Sequence, residues 1–318
     1  MREFDLIDHI RARTGLPRGD VDLGIGDDAA LLRVPEGQSL AVCVDTMVAG
    51  VHFPAGTAPR ELGWKSLAVN LSDLAAMGAT PAFATLALTL PVADARWIGD
   101  FVDGWLALAQ QHDVALVGGD TTRGPLSITV AAHGYVPHGQ AMRRDGARVG
   151  DIVAVSGTLG DGAAGLDVVE NRVSGESASW LCVRLNRPTP RVALGGALRG
   201  IATACIDVSD GLTADLGHLC KASGVGACIA MNDLPLSAAL TDYIDLPTAR
   251  GWQLSGGDDY ELCFTVAPAH WPEAQARAAA AGVPVCAIGV IEAEPGVRVI
   301  RADGQCIPAM AKGWDHFA

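Results

Sequence analysis

Apolar residues recur at helical spacing in some segments and form short runs or alternate with polar residues in others, which predicts both helices and strands. Predicted helices cover residues 3–13, 60–77, 94–113 and 271–281. Predicted strands cover residues 40–44, 83–91, 114–118, 126–137, 151–157, 254–266, 285–291 and 297–300. This order predicts an α/β or α+β protein whose polar side chains gather where strands end.

A polar, glycine-rich segment at residues 143–151 is the best candidate for a domain boundary. The 318 residues are enough for two domains, each with its own core. We therefore expect an N-terminal domain over residues 1–142 and a C-terminal domain over residues 143–318.

Composition excludes several classes of protein. The net charge is −13 and the 23 lysines and arginines are scattered, which argues against a nucleic-acid-binding surface. No apolar run is long enough to span a bilayer, and the charged N-terminus lacks the apolar core of a signal peptide, so a cytoplasmic protein without a membrane partner is expected. The eight cysteines occur singly, which favours reduced thiols in the core over zinc sites or disulfides.

The segment GIGDDAALL, residues 24–32, places two aspartates side by side before an apolar run. Adjacent carboxylates repel, and burial raises the cost of ionising each unless a cation or hydrogen-bond donors compensate. Asp27 and Asp28 therefore indicate either an exposed turn or half of a metal site.

Further aspartates stand beside glycine or after an apolar run. They are Asp45, Asp120, Asp207, Asp210, Asp258 and Asp259. Mg²⁺ prefers oxygen ligands and commonly takes one or two carboxylates together with water and phosphate oxygens. Each dipeptide alone is typical of an ordinary turn, so only the repetition of the pattern favours a metal site.

The predicted helix at residues 60–77 carries an unusual polar stripe. Ser66, Asn70 and Asp73 share one face, since they are four and three residues apart. Asp73 lies among leucines and is either an exposed carboxylate or a metal ligand. Oxygen-bearing side chains on an otherwise apolar helix indicate that this face meets the functional site.

The common nucleotide-binding motifs are absent. The chain has neither a GxxxxGK[ST] segment nor a GxGxxG segment that follows a strand with a suitable acidic partner. The segment GTLGDGAAGL could open a helix whose N-terminus binds an anion, although it lacks the lysine of a P-loop. A nucleotide would have to be bound in another way.

Seven segments, in order along nearly the whole chain, resemble the thiamine-monophosphate kinase family. They are GIGDDAAL, VDTMVAGVHF, AVNLSDLAAMGATP, GGDTTRGPL, IDVSDGL, SGGDDYELCF and GWDHF. The resemblance implies a two-domain α/β (α+β) fold like that of aminoimidazole ribonucleotide synthetase, with an N-terminal α/β domain whose sheet pairs across a homodimer. It also implies Mg²⁺-assisted transfer of the γ-phosphoryl of ATP to thiamine phosphate, the final step of thiamine diphosphate biosynthesis.

The same resemblance assigns roles to individual residues. It implies Mg²⁺ ligands at Asp28, Asp45, Asp73, Asp120, Asp207 and Asp210, ATP contacts at Gly119, Asp120, Arg144 and Ser209, and thiamine phosphate contacts at His52, Asp258 and Trp314. His52 could instead be a packed histidine, and Trp314 a C-terminal hydrophobic anchor. K⁺ is kept as a further candidate cofactor beside ATP and several Mg²⁺ ions.

The expected chemistry needs no general base, because the acceptor phosphate oxygen is already anionic near neutral pH. Phosphoryl transfer depends on positioning and on neutralising charge. Catalysis is therefore assigned to the metal-binding Asp45 and Asp120, with Arg144 stabilising charge in the transition state.

Three positions depart from the family pattern. Cys43 and Val44 stand where hydroxyl side chains often add metal ligands, and Asp258 stands where a longer glutamate is usual. These departures keep open a non-enzymatic Mg²⁺–nucleotide sensor. Purine-synthesis ligases, selenophosphate synthetases and hydrogenase-maturation enzymes of the same fold are further alternatives. Selenophosphate synthetases carry a reactive residue near the N-terminus and the maturation enzyme ends in a cysteine, whereas this chain has its first cysteine at Cys43 and ends HFA. The GVHF and GWDHF segments suit a thiamine pocket better than a ligase site.

Overall fold

The computed structural model describes residues 3–14 and 18–309, which separate into two compact units. Of the described residues, the first unit comprises 3–14, 18–74 and 79–139, and the second comprises 75–78 and 140–309. Each unit contains its own β-sheet and its own helices.

The first unit is a four-stranded sheet with helices, preceded by a small two-stranded sheet. Its elements are α1 (Glu3–Thr14), β1 (Val21–Leu23), β2 (Leu31–Leu32), β3 (Gln38–Val48), α2 (Pro59–Ala76), β4 (Thr80–Leu90), α3 (Ala95–Ala109), β5 (Ala115–Arg123) and β6 (Ser127–Pro137). The strand order in the larger sheet is β3-β6-β4-β5. Strands β3 and β5 are therefore its two edges.

The two faces of this sheet differ in exposure. On β4 and β6 the buried face carries apolar side chains such as Leu86, Leu88 and Ile128. On the opposite face, edge strand β3 exposes Leu40, Val42 and Val44, whose side chains are 43%, 58% and 61% exposed. Valine and leucine in alternation on a sheet edge form a surface that tends to pair with another strand.

Helices α2 and α3 approach each other through two glycines. A Cβ atom on Gly104 would lie 1.9 Å from the carbonyl oxygen of Arg60, and one on Gly63 would lie 2.0 Å from that of Phe101. Since neither backbone can yield locally, both positions require glycine. This close contact fixes α2, which carries the polar stripe, beside α3.

The second unit is a seven-stranded sheet with seven α-helices among the described residues. Its elements are β7 (Ile152–Ser156), α4 (Asp161–Asn171), α5 (Glu176–Asn186), α6 (Val192–Leu198), β8 (Ala202–Val208), α7 (Leu212–Ser223), β9 (Gly226–Ala230), α8 (Ala238–Tyr243), α9 (Leu246–Ser255), β10 (Glu261–Val266), α10 (Trp271–Ala280), β11 (Val285–Glu292), β12 (Gly296–Ile300) and β13 (Cys306–Pro308), with short 3₁₀ turns at Met231–Asp233 and Pro268–His270. The strand order is β13-β12-β9-β11-β7-β10-β8, and only β9 and β12 pair in parallel. Strand β10 lies between β7 and β8, and its six residues are all buried.

The sequence located most elements correctly but misplaced several ends. Strand β3 extends to Val48, so Asp45 lies inside a strand and not after one. Asp120 likewise lies inside β5. Strand β10 begins only at Glu261, because helix α9 continues to Ser255 and a loop follows it. Apolar alternation could not reveal the ends of the edge strands β3 and β5, since edge strands carry exposed residues on both faces.

Cysteine burial agrees only in part with the expected core thiols. All eight cysteines are free, and Cys205, Cys220 and Cys263 are buried, whereas Cys306 is exposed. Within residues 3–14 and 18–309, no helix combines the length and apolar character needed to cross a membrane.

The glycine contact between α2 and α3 gives a stability test. Gly104→Ala should lower the free energy of unfolding by about 2 kcal/mol or more, because the added methyl group forces the helices apart. Gly217→Ala, in α7 where an added Cβ would meet no atom within 4 Å, should instead raise it by about 0.5–1 kcal/mol. Urea unfolding of both variants measures the difference, and equal effects would contradict the assigned packing.

Candidate active site

Asp27 and Asp28 occupy an exposed turn between β1 and β2. The backbone N–H of Asp28 donates a 2.8 Å hydrogen bond to Oδ1 of Asp27. Asp27 thus caps the turn with its own carboxylate. The Asp28 carboxylate lies on the same exposed turn, where its charge is not penalised by burial.

Cys43, Asp45 and Asp73 lie close together where β3 meets α2. The Cys43 thiol donates to the carbonyl oxygen of Asn70 at 3.3 Å. Burial raises the pKa of this thiol, and the negative charges of Asp73 and Asp45 raise it further. The polar stripe of α2 therefore lies beside the strand that carries Asp45, and Cys43 stands there as a protonated thiol.

The stripe itself differs from the prediction in detail. The Ser66 hydroxyl donates to the carbonyl oxygen of Gly63, and the Asn70 amide donates to the carbonyl oxygen of Ser66. Both side chains are buried and bond to their own helix, as serine and asparagine within helices often do. Asp73, which is half-buried, is the member of the stripe with the chemistry of a metal ligand.

Gly119 and Asp120 are presented by an irregularity in β5. The register between β4 and β5 shifts between Ala84 and Thr85, and Gly119 follows with φ +152°. A Cβ on Gly119 would lie 1.9 Å from the carbonyl oxygen of Leu86, so only glycine fits. Asp120 follows on the exposed edge.

Asp45 and Asp120 stand on opposite edges of the sheet. Asp45 pairs with Val130, Val130 with Leu86, and Leu86 with Gly119, so one cross-strand row joins the two sites. Three strand spacings separate the Cα atoms at the ends of this row by about 14 Å. One ion cannot bind both carboxylates across that distance within a single sheet.

His52 is held in the turn after β3. The backbone N–H of Val48 donates to Nδ1 of His52 at 3.0 Å. Because Nδ1 accepts a hydrogen bond, the ring is neutral and its proton resides on Nε2. His52 is half-buried, so it combines a packed position with the chemistry of a donor to substrate.

In the second unit, Asp215 shapes the loop that carries Ser209 and Asp210. Its Oδ2 accepts the backbone N–H groups of Ser209, Asp210 and Gly211, each at 3.1 Å. Burial, together with the nearby negative charges of Asp207 and Asp210, raises the pKa of Asp215 to about 7. The sequence-predicted ligands Asp207 and Asp210 therefore lie within electrostatic reach of a third carboxylate.

The loop between α9 and β10 is bonded to this acidic loop. The backbone N–H of Asp258 donates to the carbonyl oxygen of Ser209 at 2.9 Å, and that of Tyr260 donates to Val208 at 2.8 Å. A Cβ on Gly257 would lie 2.6 Å from the Ser209 carbonyl oxygen. The predicted substrate residue Asp258 is thus fixed beside the predicted ATP residue Ser209.

Asp259 occupies the helix N-terminus that the sequence offered as an anion site. Its carboxylate accepts the backbone N–H of Gly160 at 2.7 Å and that of Gly162 at 3.0 Å, at the start of α4. An internal carboxylate therefore takes the place expected for an external anion. Burial raises the pKa of Asp259 to about 8, although these two donors favour its anion.

Glu261 anchors the other end of the same loop. It is fully buried, forms ion pairs with Arg184 and Arg191, and accepts the Ser156 hydroxyl at 2.5 Å. Breaking a buried ion pair leaves an uncompensated charge, which is costly. The pairing therefore holds the beginning of β10, and with it the loop that precedes it.

Sequence reasoning missed most of these supporting residues. Asp215, Arg184, Arg191 and Glu261 were not singled out, because a charge that pairs with a distant arginine leaves no local pattern. Asp259 was noted only as part of the GGDD repetition.

Arg144 is exposed, and its carbonyl oxygen accepts the Ser223 hydroxyl. Trp314 lies outside the described residues.

Within the described ranges, no three His, Cys, Asp or Glu side chains are arranged to hold a metal ion by themselves. The donor chemistry nevertheless fits Mg²⁺, since Asp207 and Asp210 place negative charge beside the buried Asp215. Mg²⁺ commonly needs only one or two carboxylates when phosphates supply the other oxygens.

Both halves of the chain match one class of protein. Residues 26–136 match the AIR synthase related protein, N-terminal domain, and residues 148–302 match the corresponding C-terminal domain. The fold and the distribution of acidic residues thus define an AIR synthase related protein. The predicted fold class is confirmed.

Relatives of known function narrow this class. Thiamine-monophosphate kinase of Salmonella typhimurium is 51% identical over 99% of this chain and 98% of its own length. The Bacillus subtilis thiamine-monophosphate kinase is 37% identical over the full length of both chains. The chain belongs to the thiamine-monophosphate kinase family, as the seven segments predicted.

Solved structures agree with this placement. Thiamine-monophosphate kinase from Stenotrophomonas maltophilia superposes with a TM-score of 0.88 at 52% identity, covering 96% of this chain and 98% of that one. A structure described as AaThiL complexed with AMPPCP and TMP gives 0.80 at 33% identity, covering 100% and 99%. Escherichia coli HypE, a hydrogenase maturation protein, gives 0.78 at 21% identity over 97% of both chains and shares the fold alone.

The buried Asp259 predicts a pH dependence of stability. Because its pKa is about 8 in the folded chain and near 3.8 ordinarily, the folded state keeps a proton that the unfolded state releases between pH 4 and 8. The free energy of unfolding should therefore fall as pH rises through this window, by up to about 1.4 kcal/mol per pH unit from this group. Urea unfolding at several pH values measures the slope.

Asp259→Asn should remove this share of the slope, whereas Asp303→Asn, at an exposed position of the same unit, should leave it intact. Equal slopes in the wild type and in Asp259→Asn would show that Asp259 is ionised in the folded state throughout the window.

Proposed function

We propose that this protein transfers the γ-phosphoryl group of ATP to thiamine phosphate and so forms thiamine diphosphate. The observation that carries the proposal is the full-length likeness to the structure described as AaThiL complexed with AMPPCP and TMP. The 51% identity to a kinase named for the same substrate supports it. ATP and thiamine phosphate are both anionic and repel each other, so the reaction needs bound cations. The many carboxylates beside glycines are suited to bind them.

Each unit, taken by itself, carries candidate oxygen ligands for Mg²⁺. In the first unit these are Asp28, Asp45, Asp73 and Asp120, and in the second they are Asp207 and Asp210. Bound Mg²⁺ would neutralise the phosphate charge and the charge that develops on the transferred group. The Asp215 carboxylate holds the Ser209–Gly211 loop in shape, so the ligand at Asp210 is positioned before substrate arrives.

No side chain is needed to remove a proton, because the attacking phosphate oxygen is already anionic near neutral pH. Neutral His52 donates through Nε2 and orients the substrate without changing its charge. Exposed Arg144 keeps its guanidinium in contact with solvent and binds ATP phosphate oxygens, where it stabilises the developing charge. Gly119 and Ser209 contact ATP through their backbone and hydroxyl groups.

Asp258 and Trp314 are assigned to thiamine phosphate. The thiazolium ring of thiamine carries a positive charge, and a carboxylate at Asp258 complements it. An aromatic ring such as that of Trp314 can stack on a cationic heterocycle. Asp258 is one methylene shorter than the usual glutamate, so its position depends more strongly on the loop that holds it.

We also propose that the protein is a homodimer that joins its four-stranded sheets. The exposed Leu40, Val42 and Val44 on edge strand β3 support this assembly. A second copy would bury these side chains and complete the edge, which is the usual solution to an exposed apolar edge strand.

The dimer would also resolve the separation of Asp45 from Asp120. These residues lie on opposite edges of one sheet, about 14 Å apart by strand count. Where β3 of one copy meets β5 of another, Asp45 of the first copy and Asp120 of the second can share one ion. We therefore propose that each site takes Asp120 from the second copy.

The proposed reaction requires ATP and several Mg²⁺ ions. K⁺ is a further candidate cofactor, which an activity assay with and without K⁺ can test. The cytoplasm is the proposed site of action, where ATP is abundant and free cysteines stay reduced. Neither nucleic acid nor a membrane is a proposed partner.

A coupled assay with chromatographic identification of the product tests the reaction. Purified protein with ATP, Mg²⁺ and thiamine phosphate should yield thiamine diphosphate, and omission of any one should give none. Free thiamine and aminoimidazole precursors serve as control acceptors. ATP binding without any product would contradict the kinase proposal and favour a nucleotide sensor, for which Cys43, Val44 and Asp258 would be the first positions to revert.

Asp45→Asn and Asp120→Asn should each lower kcat by about 10²-fold or more, because each removes a carboxylate that neutralises charge in the transition state. Asp100→Asn, an exposed position on α3, should retain full activity. Wild-type turnover in either site variant would remove that residue from the metal site.

Mixing these two variants tests whether the site is shared between copies. If Asp45 and Asp120 act from different copies, a heterodimer carries one site with both defects and one intact site. After random exchange in an equal mixture, about half of the dimers are heterodimers, and each of these has one intact site out of two. The mixture should therefore recover about a quarter of wild-type activity. Each variant refolded alone is the control, and a mixture that stays inactive would place both residues in one copy's site.

A further inference from the structure

Asp258 and Tyr260 are bonded to each other in the loop between α9 and β10. The Tyr260 hydroxyl donates a 3.0 Å hydrogen bond to Oδ1 of Asp258. Both side chains are half-buried, whereas Asp259 between them is 1% exposed. The loop therefore turns one carboxylate inward and keeps the flanking carboxylate and phenol together.

The backbone of this loop adopts a conformation that ordinary side chains rarely take. Asp258 has φ +68° and Tyr260 has φ +52°, so two of three consecutive residues lie in the left-handed region. Such conformations persist only where the surroundings hold them, and they concentrate at functional sites. Neither residue is glycine, which indicates that the two side chains are needed at these positions.

Several independent bonds hold the backbone. Asp259 accepts two N–H groups at the start of α4, and Glu261 is paired with two arginines. The N–H groups of Asp258 and Tyr260 donate to the carbonyl oxygens of Ser209 and Val208. These bonds hold the backbone of the loop, whereas the side-chain torsion angles of Asp258 depend on the hydrogen bonds of its carboxylate.

We propose that Tyr260 is a positioning residue for thiamine phosphate binding, a role that rests on the proposed function of Asp258. Its hydroxyl donates to Oδ1 of Asp258 and so helps to hold the carboxylate in the orientation that faces the cationic substrate. Because aspartate has only two side-chain torsions, a hydrogen bond to one carboxylate oxygen restricts both of them. A phenol donor also leaves the carboxylate its negative charge, which the thiazolium cation requires.

Steady-state kinetics of Tyr260→Phe test this role, since the substitution removes one hydroxyl group. The KM for thiamine phosphate should rise about tenfold, as expected for the loss of a hydrogen bond to a charged group. The kcat should stay within about twofold, and the KM for ATP should not change, because ground-state binding of one substrate is affected. Unchanged KM for thiamine phosphate would overturn the proposal.

Tyr243→Phe is a matched control in the same unit. The Tyr243 hydroxyl donates to Oδ2 of Asp167 at 2.5 Å, and this residue is also half-buried. Loss of this second tyrosine–aspartate bond should leave both KM values unchanged. An equal rise in KM for thiamine phosphate in both variants would show a general effect on the fold and would overturn the assigned role.

A double-mutant cycle with Asp258→Asn separates positioning from packing. Asp258→Asn alone should raise the KM for thiamine phosphate, and Tyr260→Phe should add little in that background. Tyr260→Asn is the second variant if the phenylalanine fails to fold, because asparagine tolerates the left-handed region and lacks the phenol. Additive effects of Tyr260→Phe and Asp258→Asn would contradict the proposal.

The outcomes also separate this role from the proposed function. Absence of thiamine diphosphate from the wild type would overturn the kinase function itself, and with it the role of Tyr260. A normal KM in Asp258→Asn would overturn the assignment of Asp258. A raised KM in Asp258→Asn with a normal KM in Tyr260→Phe would overturn the role of Tyr260 alone.

Discussion

The repulsion between carboxylates is the constraint on which the rest of this structure depends. Asp207 and Asp210 both lie within electrostatic reach of Asp215, and Asp45 and Asp73 both act on the Cys43 thiol. The chain as a whole carries a net charge of −13, so its overall charge adds to this repulsion. Such an arrangement is unfavourable by itself and becomes favourable when divalent cations and phosphates arrive together.

The glycine-rich loops must also be held in one conformation, and buried acids that bind no substrate do this. Asp215 gathers three consecutive N–H groups, and Asp259 accepts two more at the start of α4. Each thereby fills a concave set of donors that could otherwise bind an external anion. The loops at Ser209 and Asp258 are consequently preorganised.

The sequence predicted the two-domain α/β fold, four of the ten helices of the described residues and the family, because apolar periodicity and seven ordered segments are local signals. It also drew attention to the aspartates beside glycines. It could not predict that Asp45 and Asp120 stand on opposite edges of a sheet, since strand order is not written in any one segment. Nor could it identify Arg184 and Arg191 as partners of Glu261. These arginines lie about 70 positions before Glu261 in the sequence and meet it only in the folded chain.

We propose that Mg²⁺ entering with ATP completes the acidic metal site, and calorimetric titration of the protein with ATP and Mg²⁺ tests this most directly. ATP should bind tightly only when Mg²⁺ is present, and Mg²⁺ alone should bind weakly, because no three described side chains form a ready metal site. Removal of carboxylate charge by Asp207→Asn should weaken the Mg²⁺-dependent binding. ATP binding that is equally tight in a metal chelator would contradict the account.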